Sequence, residues 1–161
     1  ACRIDLAHCI EPKYYELIEL KFGLTEEKSG SNYPLFAAME ILEYGLLYIA
    51  FRQLNLLGNS LGKKHELLRA KTIDLVVLAP CVWYRVDHKA EDLYNFAWLE
   101  QSINEGIKKY LNEYGMEDFT MLFRFETLPQ KFTTAFNRLM NNINTCRDDA
   151  LTSRTALYAN E

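Results

Sequence analysis

Four glutamates come in two pairs of equal spacing, Glu16-Leu-Ile-Glu19 and Glu40-Ile-Leu-Glu43. Residues three apart on a helix share a face, so each pair would present two carboxylates side by side. Two such helices packed antiparallel would gather four oxygen ligands for Mg²⁺, a hard cation that favours carboxylates and keeps waters for a phosphate substrate. The chemistry would be cleavage of a pyrophosphate by a metal-activated water. A solvated helix face carries the same spacing. Glu40 and Glu43, however, fall inside 35–51, the longest apolar stretch of the chain, and a buried carboxylate needs partners.

This pattern is similar to the all-α nucleotide pyrophosphohydrolases of the MazG type, in which a Glu-x-x-Glu helix, a loop and a Glu-x-x-Asp helix run into an aliphatic stretch. Twenty residues separate Glu19 from Glu40, and Glu43 is followed by Tyr-Gly-Leu-Leu-Tyr-Ile-Ala. Glu43 stands where that family has Asp. The resemblance covers residues 14–60 and implies a Mg²⁺ site built from Glu16, Glu19, Glu40 and Glu43. A second motif, Arg3-Ile-Asp-Leu-Ala-His8, resembles the Arg-x₄-His motif of the helical HEPN ribonucleases. That resemblance implies His8 as general base and Arg3 as the group stabilising phosphate charge.

Other chemistry-bearing residues carry weaker patterns. Cys2, His8 and Cys9 lack the close Cys-x₂₋₄-Cys pair of a zinc site. Cys2 and Cys9 could form a disulfide if oxidised, while Cys81 and Cys146 read as buried free thiols. Asp87 suits the N-cap of a helix with Glu91 in its first turn, leaving His88 on the surface. None of the seven glycines is spaced to cradle a phosphate.

The elements that would position these groups follow from the turn formers. Seven glycines and four prolines in 161 residues are few, and a domain of many short strands needs more turns than that. Pro12 would open a helix over 13–22, and Pro34 a central apolar helix over 35–57. Residues 89–114 repeat Leu93, Phe96, Ala97, Ile103, Ile107, Leu111 and Tyr114 at three- and four-residue spacing, which predicts an amphipathic helix closed by Gly115. The run 73–78 is either strand or buried helix. Residues 119–125 alternate with period two, as a strand does. Thr127-Leu-Pro-Gln130 forms a capping box before a helix over 131–146.

The fold expected is therefore a single-domain, mainly α bundle around 35–57, with one or two short strands at 73–78 and 119–125. An α+β arrangement pairing those strands is the alternative. The net charge of −4 and the absence of a basic half disfavour nucleic-acid binding through a broad surface. Glu40 and Glu43 disfavour a membrane span over 35–51. Low cysteine content favours a cytoplasmic setting, secretion being the alternative. Acidic charge, ten tyrosines and two tryptophans point first to a non-enzymatic interaction protein without a cofactor, a regulator, inhibitor or immunity-type partner binding another protein or itself. The Mg²⁺-dependent pyrophosphohydrolase and the HEPN-like nuclease are the catalytic alternatives.

Overall fold

Pro12 does not open a helix; it makes a hairpin. With Pro12 at its second position and Lys13 at φ 73° in its third, the turn has the signature of type II. It joins strand β1 (Leu6–Glu11) to strand β2 (Tyr14–Leu20), paired antiparallel. Lys13 holds a left-handed conformation that costs a side-chain-bearing residue about 1–2 kcal/mol. Lys13→Gly is accordingly expected to raise the melting temperature, read by circular dichroism.

This computed structural model describes residues 4–21, 33–56, 66–85, 93–128 and 154–156. After the hairpin come helix α1 (Pro34–Leu56), strand β3 (Thr72–Pro80), helix α2 (Ala97–Glu113), strand β4 (Thr120–Leu128) and a two-residue strand β5 (Thr155–Ala156). The strands lie in one sheet in the order β1-β2-β3-β4-β5. β2, β3 and β4 run parallel, and the outer pairs are antiparallel. The molecule is thus a mixed α/β fold, not a mainly α bundle.

The expected helix over 13–22 is the clearest correction. In β2, Glu16, Leu17, Ile18 and Glu19 are all buried: Leu17 lies beneath the helices, while Ile18 and Glu16 are covered by an apolar and a charged cluster on the opposite face. The resulting apolar run has no period of two, and at this length it cannot be told from a buried helix by pattern alone. Thr127, expected as an N-cap, instead continues β4. The helix expected over 131–146 and the residues Asp87, His88 and Glu91 lie outside the described residues.

Both helices pack on one face of the sheet. Ala37, Ala38, Ile41, Tyr48 and Ile49 of α1 join Leu17, Ile73, Leu75 and Val77, and α2 adds Leu111 against Met121, Phe123 and Phe125. Gly45 lets α1 approach closely, since a Cβ there would stand 2.6 Å from Leu75. The far end of α1 is fixed by Tyr48, whose hydroxyl donates to the Leu67 carbonyl at 2.8 Å. Arg52 adds a hydrogen bond to the Ala70 carbonyl and lies 4.6 Å over the Phe119 ring.

α2 ends in a Schellman motif. The Met116 N–H bonds the Leu111 carbonyl, the Gly115 N–H bonds that of Asn112, and Gly115 has φ 64°. Gly115→Ala is expected to lower stability by about 1 kcal/mol, measured by denaturant titration.

α2 also finishes the sheet. The Asn104 side chain donates to the Phe123 carbonyl at 2.9 Å and accepts the Phe123 N–H at 2.7 Å, and Glu100 accepts the Phe125 N–H at 2.9 Å. Two side chains thereby stand in for a neighbouring strand where β5, which pairs only with Glu126 and Thr127, does not reach. On the opposite edge, the register of β1 slips between Cys9 and Glu11.

Candidate active site

In β2, Glu16 and Glu19 are an odd number of residues apart, so they point to opposite faces of the sheet. They take part in two different charged clusters.

Glu16 faces away from the helices. It is fully buried, as are its neighbour Asp74 on β3 and, nearly so, Glu126 on β4. Arg124 reaches all three: Nη2 donates to Glu16 at 2.7 Å, Nη1 to Asp74 and Nε to Glu126. Arg154, just before β5, donates to both oxygens of Glu16 and lies 3.0 Å from Glu126. His8 Nδ1 is 3.0 Å from Glu16, and the Tyr14 hydroxyl donates to Asp74 at 2.5 Å. Burial alone would push the Glu16 carboxyl up, but Arg154, His8 and Arg124 hold it below its ordinary value. The same carboxylates keep the Arg124 guanidinium firmly charged despite its burial. The carboxylates here are already engaged by guanidinium groups, and Ile18, Val76, Leu78 and Leu128 pack as an apolar cluster on the same face. The arrangement clamps β2, β3, β4 and β5 together.

Glu19 faces the helices at the carboxyl end of β2. In the hairpin Leu6 pairs with Ile18, so the next position outward sets Asp5 against Glu19. Asp5 Oδ2 accepts the Leu20 N–H at 2.9 Å, which fixes it there. Lys21, two residues beyond Glu19 and on the same face, extends the parallel pairing through its N–H to the Leu78 carbonyl at 2.9 Å. Its ammonium lies 2.7 Å from both Glu19 and Glu40, the latter in the second turn of α1. Burial raises the Glu19 carboxyl, and the charges of Asp5 and Glu40 raise it further against the pull of Lys21. Burial would lower Lys21, but Glu19 and Glu40 more than reverse that.

Three elements thus bring Asp5, Glu19, Lys21 and Glu40 together outside the carboxyl ends of the parallel strands. That is where open α/β sheets bind their ligands. Lys21 and Glu19 are largely buried, whereas Asp5 is exposed and Glu40 half-exposed, so the cluster opens to solvent on one side.

Of the four glutamates singled out by spacing, only Glu19 and Glu40 meet. Glu16 belongs to the clamp on the other face, and Glu43 lies exposed one turn along α1. The helix-pair geometry implied by the MazG-type resemblance is absent, because its first helix is a strand. His8 sits on β1 against Glu16, not on a helix, and Arg3 lies outside the described residues. Cys9 and Cys81 are free thiols; Cys2 and Cys146 lie outside the described residues. The sequence reading missed Asp5 and Lys21. The signal for Lys21 was its two-residue spacing from Glu19, which places two charges on one face of a strand.

Among the described residues, no three of His, Cys, Asp and Glu are grouped to cage a metal ion. Mg²⁺ does not require such a cage. One or two carboxylates suffice when waters and substrate phosphates fill the remaining positions, and Asp5 with Glu19 supply two hard oxygen donors. Comparison with protein-family models, curated proteins and solved structures finds no match to this chain.

Proposed function

We propose that the chain is a Mg²⁺-dependent phosphodiesterase with its active site at Asp5, Glu19, Lys21 and Glu40. The observation that carries this reading is the Lys21 ammonium held between carboxylates from two elements at the carboxyl end of β2, with Asp5 beside them on the neighbouring strand. Asp5 and Glu19 would hold the cation, which would polarise the phosphoryl oxygen and lower the pKa of a bound water. Lys21 would place positive charge against the phosphate as negative charge builds on it. Glu40 keeps the ammonium in position and charged. The water would lose one proton as its oxygen bonds to phosphorus, the ester P–O bond would break, and the departing oxygen would take up that proton through solvent.

This reading keeps the Mg²⁺ chemistry, Glu19 and Glu40 expected from spacing, and replaces Glu16 and Glu43 by Asp5 and Lys21. It is tested by calorimetric Mg²⁺ titration and by hydrolysis of an activated aryl phosphodiester, DNA, RNA and nucleoside triphosphates with and without EDTA. Metal-dependent cleavage of at least one diester is expected. Absence of both Mg²⁺ binding and cleavage would reject it. A second reading, a protein-binding role, is favoured by a different observation, the outer face of α1.

A further inference from the structure

α1 shows two unlike faces. One packs on the sheet. On the other, Phe36, Met39, Leu46, Leu47, Phe51 and Leu54 each expose between 44% and 59% of their surface, and Leu35 adds 43%. At 100° per residue these positions fall on one continuous stripe along the 23-residue helix, about 34 Å long at 1.5 Å per residue. Two carboxylates interrupt it, the exposed Glu43 and the half-exposed Glu40, which Lys21 pairs. Beside the stripe runs a groove of about 540 Å³ between α1 and α2, floored by Leu75 and Met121 and walled by Phe36, Met39, Ile103 and Ile107. Gly106 contributes no side chain to it, and a Cβ there would meet nothing within 4 Å.

We infer that this face is the interface of a homodimer, a second copy laying its own α1 on the stripe. The seven side chains expose on the order of 800 Å², the amount one partner contributes to a standard interface and more than the largest apolar patch of a typical monomer. A two-fold dimer needs one patch that complements itself. A predominantly apolar helical stripe with an open groove at its side meets that need, since the projecting side chains of one copy can enter the groove of the other.

A lipid surface fits less well, although α1 is long and apolar enough to cross a membrane by length and composition alone. An interfacial helix carries Lys and Arg on its polar side, whereas the only base in α1 is the buried Arg52. A spanning helix would have to leave the sheet and uncover Leu17, Leu75 and Val77.

The test is sedimentation velocity of the full chain across a wide concentration range, for wild type and L46E/F51E. Both residues of the double variant are already half-exposed, so circular dichroism should be unchanged. Wild type is expected to dimerise, and L46E/F51E to raise the dimer dissociation constant about a hundredfold or more. A wild-type monomer at every concentration, or a double variant that still dimerises, would overturn the inference. Flotation of the wild-type chain with anionic vesicles, lost in L46E/F51E, would assign the face to lipid instead.

Discussion

Arg124→Met is expected to cost about 3–5 kcal/mol, the range for removing one partner of a buried ion pair. The total stability of a small domain is about 5–15 kcal/mol, so the variant should be partly or wholly unfolded at ambient temperature. Arg124 serves three buried carboxylates on three strands, Glu16, Asp74 and Glu126. Methionine fills much of the same volume but donates nothing, and Arg154 alone cannot neutralise all three. The companion variant Glu16→Gln isolates the pH dependence. Because the folded-state value of Glu16 lies below the ordinary 4.5, its contribution is present above about pH 4.5 and lost as pH falls through the lower folded-state value. Urea titrations from neutral to acid pH should show a stability that drops below about pH 4.5 in wild type and a flatter acid limb in Glu16→Gln. An Arg124→Met protein as stable as wild type would mean that the clamp contributes nothing.

The second large effect concerns the other face of the same strand. Asp5→Asn and Glu19→Gln are each expected to lower diester cleavage about 10²–10³-fold, the scale seen when one preorganised charge-stabilising group is lost. Melting temperatures should stay close to wild type. Asp5 is exposed, and Glu19 is already raised by burial, so a neutral amide there relieves a desolvated charge. Lys21→Met separates the roles further. Removing the ammonium frees Glu19 to share a cation with Asp5, so Mg²⁺ binding should persist or tighten while turnover falls. Folded Asp5→Asn and Glu19→Gln proteins with wild-type turnover would remove these residues from the chemistry.

Some of this architecture was legible in the residues. Pro34 suits the first turn of a helix, and α1 begins there because the missing N–H is one that no helix uses. Gly115 suits the C′ position, which needs a positive φ, and α2 stops there. The β1–β2 hairpin was not legible. Proline followed by lysine lacks the glycine that usually marks a type II turn, and both faces of β2 are buried, which erases alternation. That one misassigned element carried the site with it. Read as a helix, Glu16 and Glu19 share a face; on a strand they are divided by the whole thickness of the sheet. Asp5 and Lys21 stand sixteen residues apart in sequence and meet only once the hairpin register is known. Arg124 reads as an ordinary polar residue on an alternating strand, because two of its three carboxylate partners come from strands 50 and 108 positions away. Local patterns do not record such long-range pairings.

The caps on the free edge of β4 also have an order in time. Asn104 and Glu100 precede β4 in the chain, so during synthesis both are already outside the ribosome when Phe123 and Phe125 emerge. The side chains that cover this edge are therefore made before the edge itself. A circular permutant that moved α2 behind β4 would keep the Asn104 and Glu100 caps yet reverse that sequence, leaving a bare strand edge for as long as the remaining chain took to be made.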